Sequence, residues 1–225
     1  MAAEVLYSVD KDCPICKGKF KVTKVRSKLQ MVKQDSDFCT YYKDVNPNYY
    51  VIWVCPSCGY AAQDTYFDEL SPAAEDKTRK FLQGKEVRLD LSGVRSREQA
   101  IASYKLAIFL AELVSALPSR LAGLYLKLAW LYREAEMPEE ERILMMKARQ
   151  CYEQATLKER FPIGNLTDIA VEYIIGELYR RTGQVDQALS YLSKVVGNPK
   201  AKLEKRILEL AKDSWHKARE QKRAE

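Results

Sequence analysis

The sequence is poor in the residues that most often mark catalysis and tight turns. It holds one histidine, 9 glycines and 8 prolines in 225 residues. A Ser/Cys–His–Asp triad would have to use His216, which lies beside Trp215 in a basic terminal segment with no nucleophile placed nearby. No glycine-rich phosphate-binding loop occurs. A non-catalytic chain is therefore expected. Few turn formers favour helix over an all-β fold. No apolar run approaches the roughly 20 residues needed to span a bilayer, so no membrane role is expected. Met1–Val9 lacks both a basic and an apolar signal region, and no secretory signal is expected.

Cysteine, in contrast, is present six times, and four of the six are paired. Cys13-Pro14-Ile15-Cys16 and Cys55-Pro56-Ser57-Cys58-Gly59 are two matched Cys-Pro-x-Cys turns. Two residues between cysteines let both sulfurs point at one ion while turn N–H groups bond back to the thiolates. Two such turns supply a closed tetrahedron of soft ligands, which predicts one structural zinc per chain on Cys13, Cys16, Cys55 and Cys58. The same spacing also serves a rubredoxin-type iron centre. Disulfides need an oxidising compartment, and a dithiol redox site would need only one such turn. The cysteine usage fits a reducing cytoplasm. Cys39 is expected to be a small buried residue near the site, with a replacement ligand or redox-sensitive thiol as the sharper reading. Cys151 falls on the apolar stripe of a helix.

The net charge is +6. Between Lys17 and Lys33 the bases Lys17, Lys19, Lys21, Lys24, Arg26, Lys28 and Lys33 follow one another with no acid between them. Such a run can contact phosphates, although it is more often the solvated face of a strand.

Residues 1–12 read as a lead-in with a short strand around Val5 and Tyr7. Phe20–Val25 alternates apolar and basic residues, the period of a half-buried strand. Residues 33–48 read as a polar loop, and Tyr49–Val54 as a second strand entering the second knuckle. This predicts a zinc-ribbon-like domain over 1–70, with an inserted loop, and a mainly α domain over 71–225. Helix starts are marked by Ser71-Pro72, by the capping box Ser96/Gln99, by Ser119, by Pro138 followed by three glutamates, and by Thr167-Asp168. A last basic helix carries Leu203, Ile207, Leu210 and Trp215.

Ile175, Gly176, Tyr179, Gly183, Ala188 and Leu192 match the large, small, aromatic and turn positions of a tetratricopeptide repeat. Leu128, Ala129, Tyr132, Ala148, Tyr152 and Ala155 form a second copy with a longer turn, and Ala100, Tyr104 and Ala107 a partial third. An irregular helical bundle would carry the same stripes.

The CPIC turn, Asp37-Phe38-Cys39, the run Tyr50–Ala61 and the repeat-like half together resemble a family of uncharacterised bacterial proteins. The resemblance covers nearly the whole chain and implies a bacterial cytosolic protein without an established activity. Counting along the repeats places Leu126, Trp130 and Arg133, then Tyr173, Glu177, Arg180 and Arg181, on a concave face. A protein partner bound through Trp130, Arg133, Tyr173, Arg180 and Arg181 is the expected function, the other reading of this face being a groove filled by the terminal helix or the ribbon, with Trp130 in the core. Nucleic-acid contact through the ribbon and the Lys17–Lys33 run is the alternative.

Overall fold

The computed structural model describes residues 5–85 and 91–224; the first four residues of the expected lead-in lie outside them. Contacts gather into two compact units. The first comprises residues 1–33, 40–116 and 130–137, and the second residues 34–39, 117–129 and 138–225. These bounds differ from a division at residue 70. The first unit takes in the helices that follow the ribbon, and the second takes in the tip of the expected loop.

In the first unit, β1 (Leu6–Asp12) pairs antiparallel with β2 (Lys19–Val25), and β5 (Ile52–Val54) with β6 (Ala61–Gln63). The inward positions of β2, Phe20 and Val22, are buried, as its period-two pattern predicts. Two departures from the sequence reading appear here. Tyr49 and Tyr50 belong to a 3-10 turn, Pro47–Tyr50, opened by Asn46 accepting from the Asn48 N–H, so β5 is short. The segment read as a polar loop contains a strand pair, β3 (Met31–Gln34) and β4 (Thr40–Tyr42).

Two helices complete this unit. α1 (Pro72–Leu82) starts on Ser71, whose Oγ accepts from the Ala74 N–H. α2 (Arg97–Leu113) starts on the reciprocal Ser96/Gln99 box and buries Ala100, Tyr104 and Ala107. α2 packs on β5, β6 and the 3-10 turn. Between α1 and α2 lies Arg95, 5% exposed, which donates to the carbonyls of Leu91, Tyr49 and Ile52. Burial draws its pKa down to about 10. At the centre is Phe67, fully buried, with Tyr60, Trp53 and Phe20 rings 4.9, 5.5 and 5.8 Å away.

The second unit is helical. α3 (Pro118–Glu134) contributes its first part to this unit, and its last residues belong to the other. α4 (Pro138–Lys158), α5 (Asp168–Arg181), α6 (Val185–Gly197) and α7 (Lys205–Ala224) follow. α5 is the hub: it packs on α4, α6 and α7 and buries ten successive or near-successive residues, from Ile169 to Tyr179. Gly176 lets α6 approach, since a Cβ there would lie 3.0 Å from Leu192 Cγ and 3.1 Å from Tyr191 Cβ. Gly183 turns the chain at φ 79°. α7 faces inward with small residues, Ala211, Ser214 and Ala218. Leu203, expected on its apolar stripe, precedes it in a 3-10 turn and is 87% exposed. No helix among the described residues is long and apolar enough to cross a membrane.

Candidate metal centre

The two Cys-Pro-x-Cys turns fold into the same shape. Each closes a two-stranded hairpin, Asp12 opposite Lys19 in one and Val54 opposite Ala61 in the other. In the first, the Cys13 N–H donates to Gly18 O (2.9 Å) and the Lys17 N–H to Cys13 O (2.9 Å). In the second, the Cys55 N–H donates to Tyr60 O (2.8 Å) and the Gly59 N–H to Cys55 O (2.9 Å). The fifth residue of each turn is left-handed: Lys17 at φ 61° and Gly59 at φ 76°. Glycine takes that conformation freely, whereas lysine takes it at a cost of about 1–2 kcal/mol.

These turns bring Cys13, Cys16, Cys55 and Cys58 together, with all four sulfurs within 4.8 Å of one another. Cys13 Sγ lies 3.6 Å from Cys58 Sγ, and Cys16 Sγ 3.7 Å from Cys55 Sγ. A disulfide would need about 2.05 Å. A tetrahedron with metal–sulfur bonds of about 2.3 Å has sulfur–sulfur edges of about 3.8 Å, so the donor set fits a four-thiolate ion. Cys13 and Cys55 are fully buried, whereas Cys16 is exposed. Hydrogen bonds from Cys13 and Cys58 draw Cys55 well below the ordinary thiol range. The shared bond with Cys55 pushes Cys13 up, and that with Cys13 pushes Cys58 up as well. Four sulfurs this close cannot all carry charge unless a cation shares it.

Residues that the sequence reading passed over shape this centre. A Cβ on Gly18 would lie 3.3 Å from Cys16 Sγ. From α1, Arg79 Nε donates to Ile15 O at 3.4 Å, and Glu75 pairs with both Lys17 and Arg79. Tyr60 donates through its hydroxyl to Phe67 O at 3.1 Å. A glycine directly after a Cys-Pro-x-Cys-x turn is a signal that could have been read; the reach of α1 was not. Cys39 is buried but is not one of the clustered sulfurs and belongs to the second unit.

The basic run is largely engaged. Lys24 lies over the Trp53 ring and Arg26 over Tyr7, while Lys17 bonds Pro14 O and Glu75. Lys19 and Lys21 are exposed and stand opposite Asp12 and Asp10 in the register of β1 and β2.

The expected partner-binding residues do not share one unit. Trp130 and Arg133 lie in the first, both part-exposed, where neighbouring Glu134 accepts from Asn46 Nδ2 at 2.8 Å. Tyr173, Arg180 and Arg181 lie in the second. Tyr173 corrects the reading: it is fully buried and offers no ring to a partner. The segment Gln34–Cys39 covers it. Tyr173 donates through its hydroxyl to Ser36 O at 2.6 Å, and Phe38 stacks obliquely on its ring at 5.6 Å. Glu177, also fully buried, accepts from Arg180 Nη2 (2.6 Å), Arg181 Nε (2.8 Å) and Ser36 Oγ (2.6 Å). Burial alone would raise Glu177, yet these donors overcome it and hold the carboxyl at about 2.

No curated protein and no solved structure matches the chain. A family model does match, over residues 6–218, and so covers the knuckles and helices described above; the chain belongs to the bacterial family described as "Uncharacterized protein conserved in bacteria (DUF2225)".

Proposed function

We propose that the chain is a non-catalytic, zinc-containing interaction module of the bacterial cytoplasm. One zinc holds the two knuckle hairpins together, and tetratricopeptide-like helix pairs present a surface to a protein partner. The observation that carries the zinc reading is the four-sulfur cluster, whose edges of 3.6 and 3.7 Å suit a tetrahedron. A closed four-thiolate site leaves no open position for substrate, so its role is to hold structure. The close approach of α6 at Gly176, with Gly183 at the turn, supports the repeat reading. Of the residues expected to face a partner, Trp130, Arg133, Arg180 and Arg181 remain, because each keeps some exposure. The acids Asp12 and Asp10, opposite Lys19 and Lys21 in the strand register, lower the local positive charge and so disfavour the alternative of phosphate contact through the basic run.

Elemental analysis of protein purified without added metal tests the first part. About one zinc per chain is expected; iron in its place, or no metal, overturns it. Capture of lysate proteins by the intact chain and by Arg133→Ala tests the second, with equal capture excluding Arg133. Replacing Arg180 and Arg181 together is a poorer test, since it strands the buried Glu177.

A further inference from the structure

Strand β1 has the alternation of a half-buried strand, yet its apolar side chains and its outer edge are open. Ser8, Asp10 and Asp12 point to one face and are exposed. Tyr7 and Val9 point to the other. They share that face with Phe20 and Val22 of β2, which are buried, and Val9 lies directly opposite Val22. Tyr7 and Val9 nevertheless stay 38% and 39% exposed, at the rim of the buried face. Two further hydrogen bonds continue the β1–β2 register and orient the edge. The Arg26 N–H donates to Val5 O and the Cys13 N–H to Gly18 O, both at 2.9 Å. Hydrogen-bonded pairs alternate along an antiparallel ladder, so Tyr7, Val9 and Lys11 aim their N–H and C=O groups at β2. Those of Leu6, Ser8, Asp10 and Asp12 aim outward. Among the described residues the sheet has only these two strands, so that edge is unpaired.

An exposed edge is a template for another strand, and the charges on β1 decide which strand fits. We propose that β1 pairs antiparallel with β1 of a second copy of the chain, about a two-fold axis at Val9. Ser8 then faces Asp10 of the second copy and Leu6 faces Asp12, each pair exchanging both backbone bonds, so that every outward group of the strand is used. Tyr7 faces Lys11, whose ammonium already pairs with Asp68, and the ring packs on the lysine stem. Like charges nowhere stand opposite each other. Val9 meets its own counterpart at a non-hydrogen-bonded position, where side chains come closest, and the exposed valines cover one another. Moving the axis to Asp10 would set Asp10 against Asp10, which is repulsive. Moving it to Ser8 would leave Asp12 without a partner in the strand. One strand pair is a small interface, so the dimer is weak and reversible.

This inference does not rest on the helical-partner reading, and the failure of either leaves the other standing. Sedimentation equilibrium of the full chain, with reductant to exclude disulfides, tests it from about 1 to about 500 µM, the span over which a weak interface associates. The mean mass is expected to rise from that of one chain toward that of two. Ser8→Pro removes an outward N–H and spares the β1–β2 ladder, a change that an edge strand tolerates. It should weaken the dimer at least about tenfold, since both copies lose a bond, with metal content unchanged. Val9→Lys and Val9→Glu each place like charges opposite one another, because this position meets its own copy. Either variant alone should stay monomeric, and an equimolar mixture of the two should associate again. A chain that remains monomeric at about 500 µM overturns the proposal and leaves the edge to a strand of another protein. So does a dimer that withstands both Ser8→Pro and Val9→Lys. A mixture that fails to associate overturns the pairing centred on Val9.

Discussion

The two units reach stability by different means. The first joins two hairpins, each of only two strands, to two helices around Phe67. Two-stranded hairpins are marginal in water, and soft donors from both knuckles meet where they close. The second needs no such staple: α5 is buried along nearly its whole length, and small residues on α5 and α7 allow close helix approach. Its special feature is a buried carboxylate held by two arginines and a serine. One unit gathers four sulfurs that could hold an ion from outside the chain, while the other supplies its own charges. Stress applied to metal or to charge should therefore separate them.

Metal removal is the sharpest break and should have the largest effect, since structural zinc contributes on the order of 10 kcal/mol to folding. Chelation, or Cys55→Ser, should speed hydrogen exchange in residues 5–33, 40–85 and 91–116, including α1 and α2. Protection in α5 and α6 should remain. Equal loss of protection in both units would show that they fold as one. The sequence boundary at residue 70 made a different forecast, in which only the ribbon loosens; protected α1 and α2 after chelation would restore it.

The mirror-image test attacks the second unit. Glu177→Ala leaves Arg180 and Arg181 without their buried partner and should cost about 3–5 kcal/mol, lowering Tm without releasing metal. Acid probes the same carboxylate. Its folded pKa, about 2, lies below the ordinary 4.5. Its contribution is therefore complete above pH 4.5 and is lost as pH falls from there toward 2. Protons also compete for the thiolates, so metal release should precede this loss as pH falls. Chemical denaturation at stepped pH, with metal release followed in parallel, checks the order. Glu177→Gln should remove most of the low-pH slope assigned to the second unit.

The same contrast explains what could be read from the chain. The knuckles were legible because the ligands lie two residues apart and their chemistry is local. The helix starts at Ser71, Ser96 and Thr167 were legible for a similar reason: each cap acts within three residues. The Glu177 network was not, because Ser36 lies far away in sequence, in a polar stretch that signals only a loop. Tyr173 was assigned to an open face because helical position alone cannot reveal what covers it. Phe67 follows Asp64-Thr65-Tyr66, a context with no period, and its central place arises from three rings contributed by β2, β5 and the second knuckle.

A smaller effect tests helix packing against the ion network within the second unit. Gly176→Ala would place a Cβ 3.0–3.1 Å from Leu192 and Tyr191, closer than side chains pack. Overpacking of this kind costs about 1–3 kcal/mol, partly offset by the better helix propensity of alanine. Denaturant titration should show a lower midpoint with unchanged metal content. A stabilised variant would mean that α6 can shift at little cost, and that the Glu177 network dominates the unit.

The smallest effects come from two non-glycine residues that share one backbone conformation, one in each unit. Lys17 has φ 61° and Phe38 has φ 69°. Glycine would relieve about 1–2 kcal/mol of left-handed strain at either, against a gain in unfolded-chain entropy of up to about 1 kcal/mol. What decides the sign is the side chain that is lost. The Lys17 side chain is 69% exposed, and its pairing with Glu75 lies at the surface, where such pairs contribute about 0–1 kcal/mol. Lys17→Gly should thus be close to neutral, making the first knuckle resemble the second, which has Gly59 at this place. The Phe38 ring instead covers Tyr173, and losing that burial outweighs the relief. Phe38→Gly should destabilise the second unit by about 1–2 kcal/mol and leave metal content unchanged. Equal and opposite results, a costly Lys17→Gly and a harmless Phe38→Gly, would mean that the 34–39 segment contributes nothing to the unit it covers.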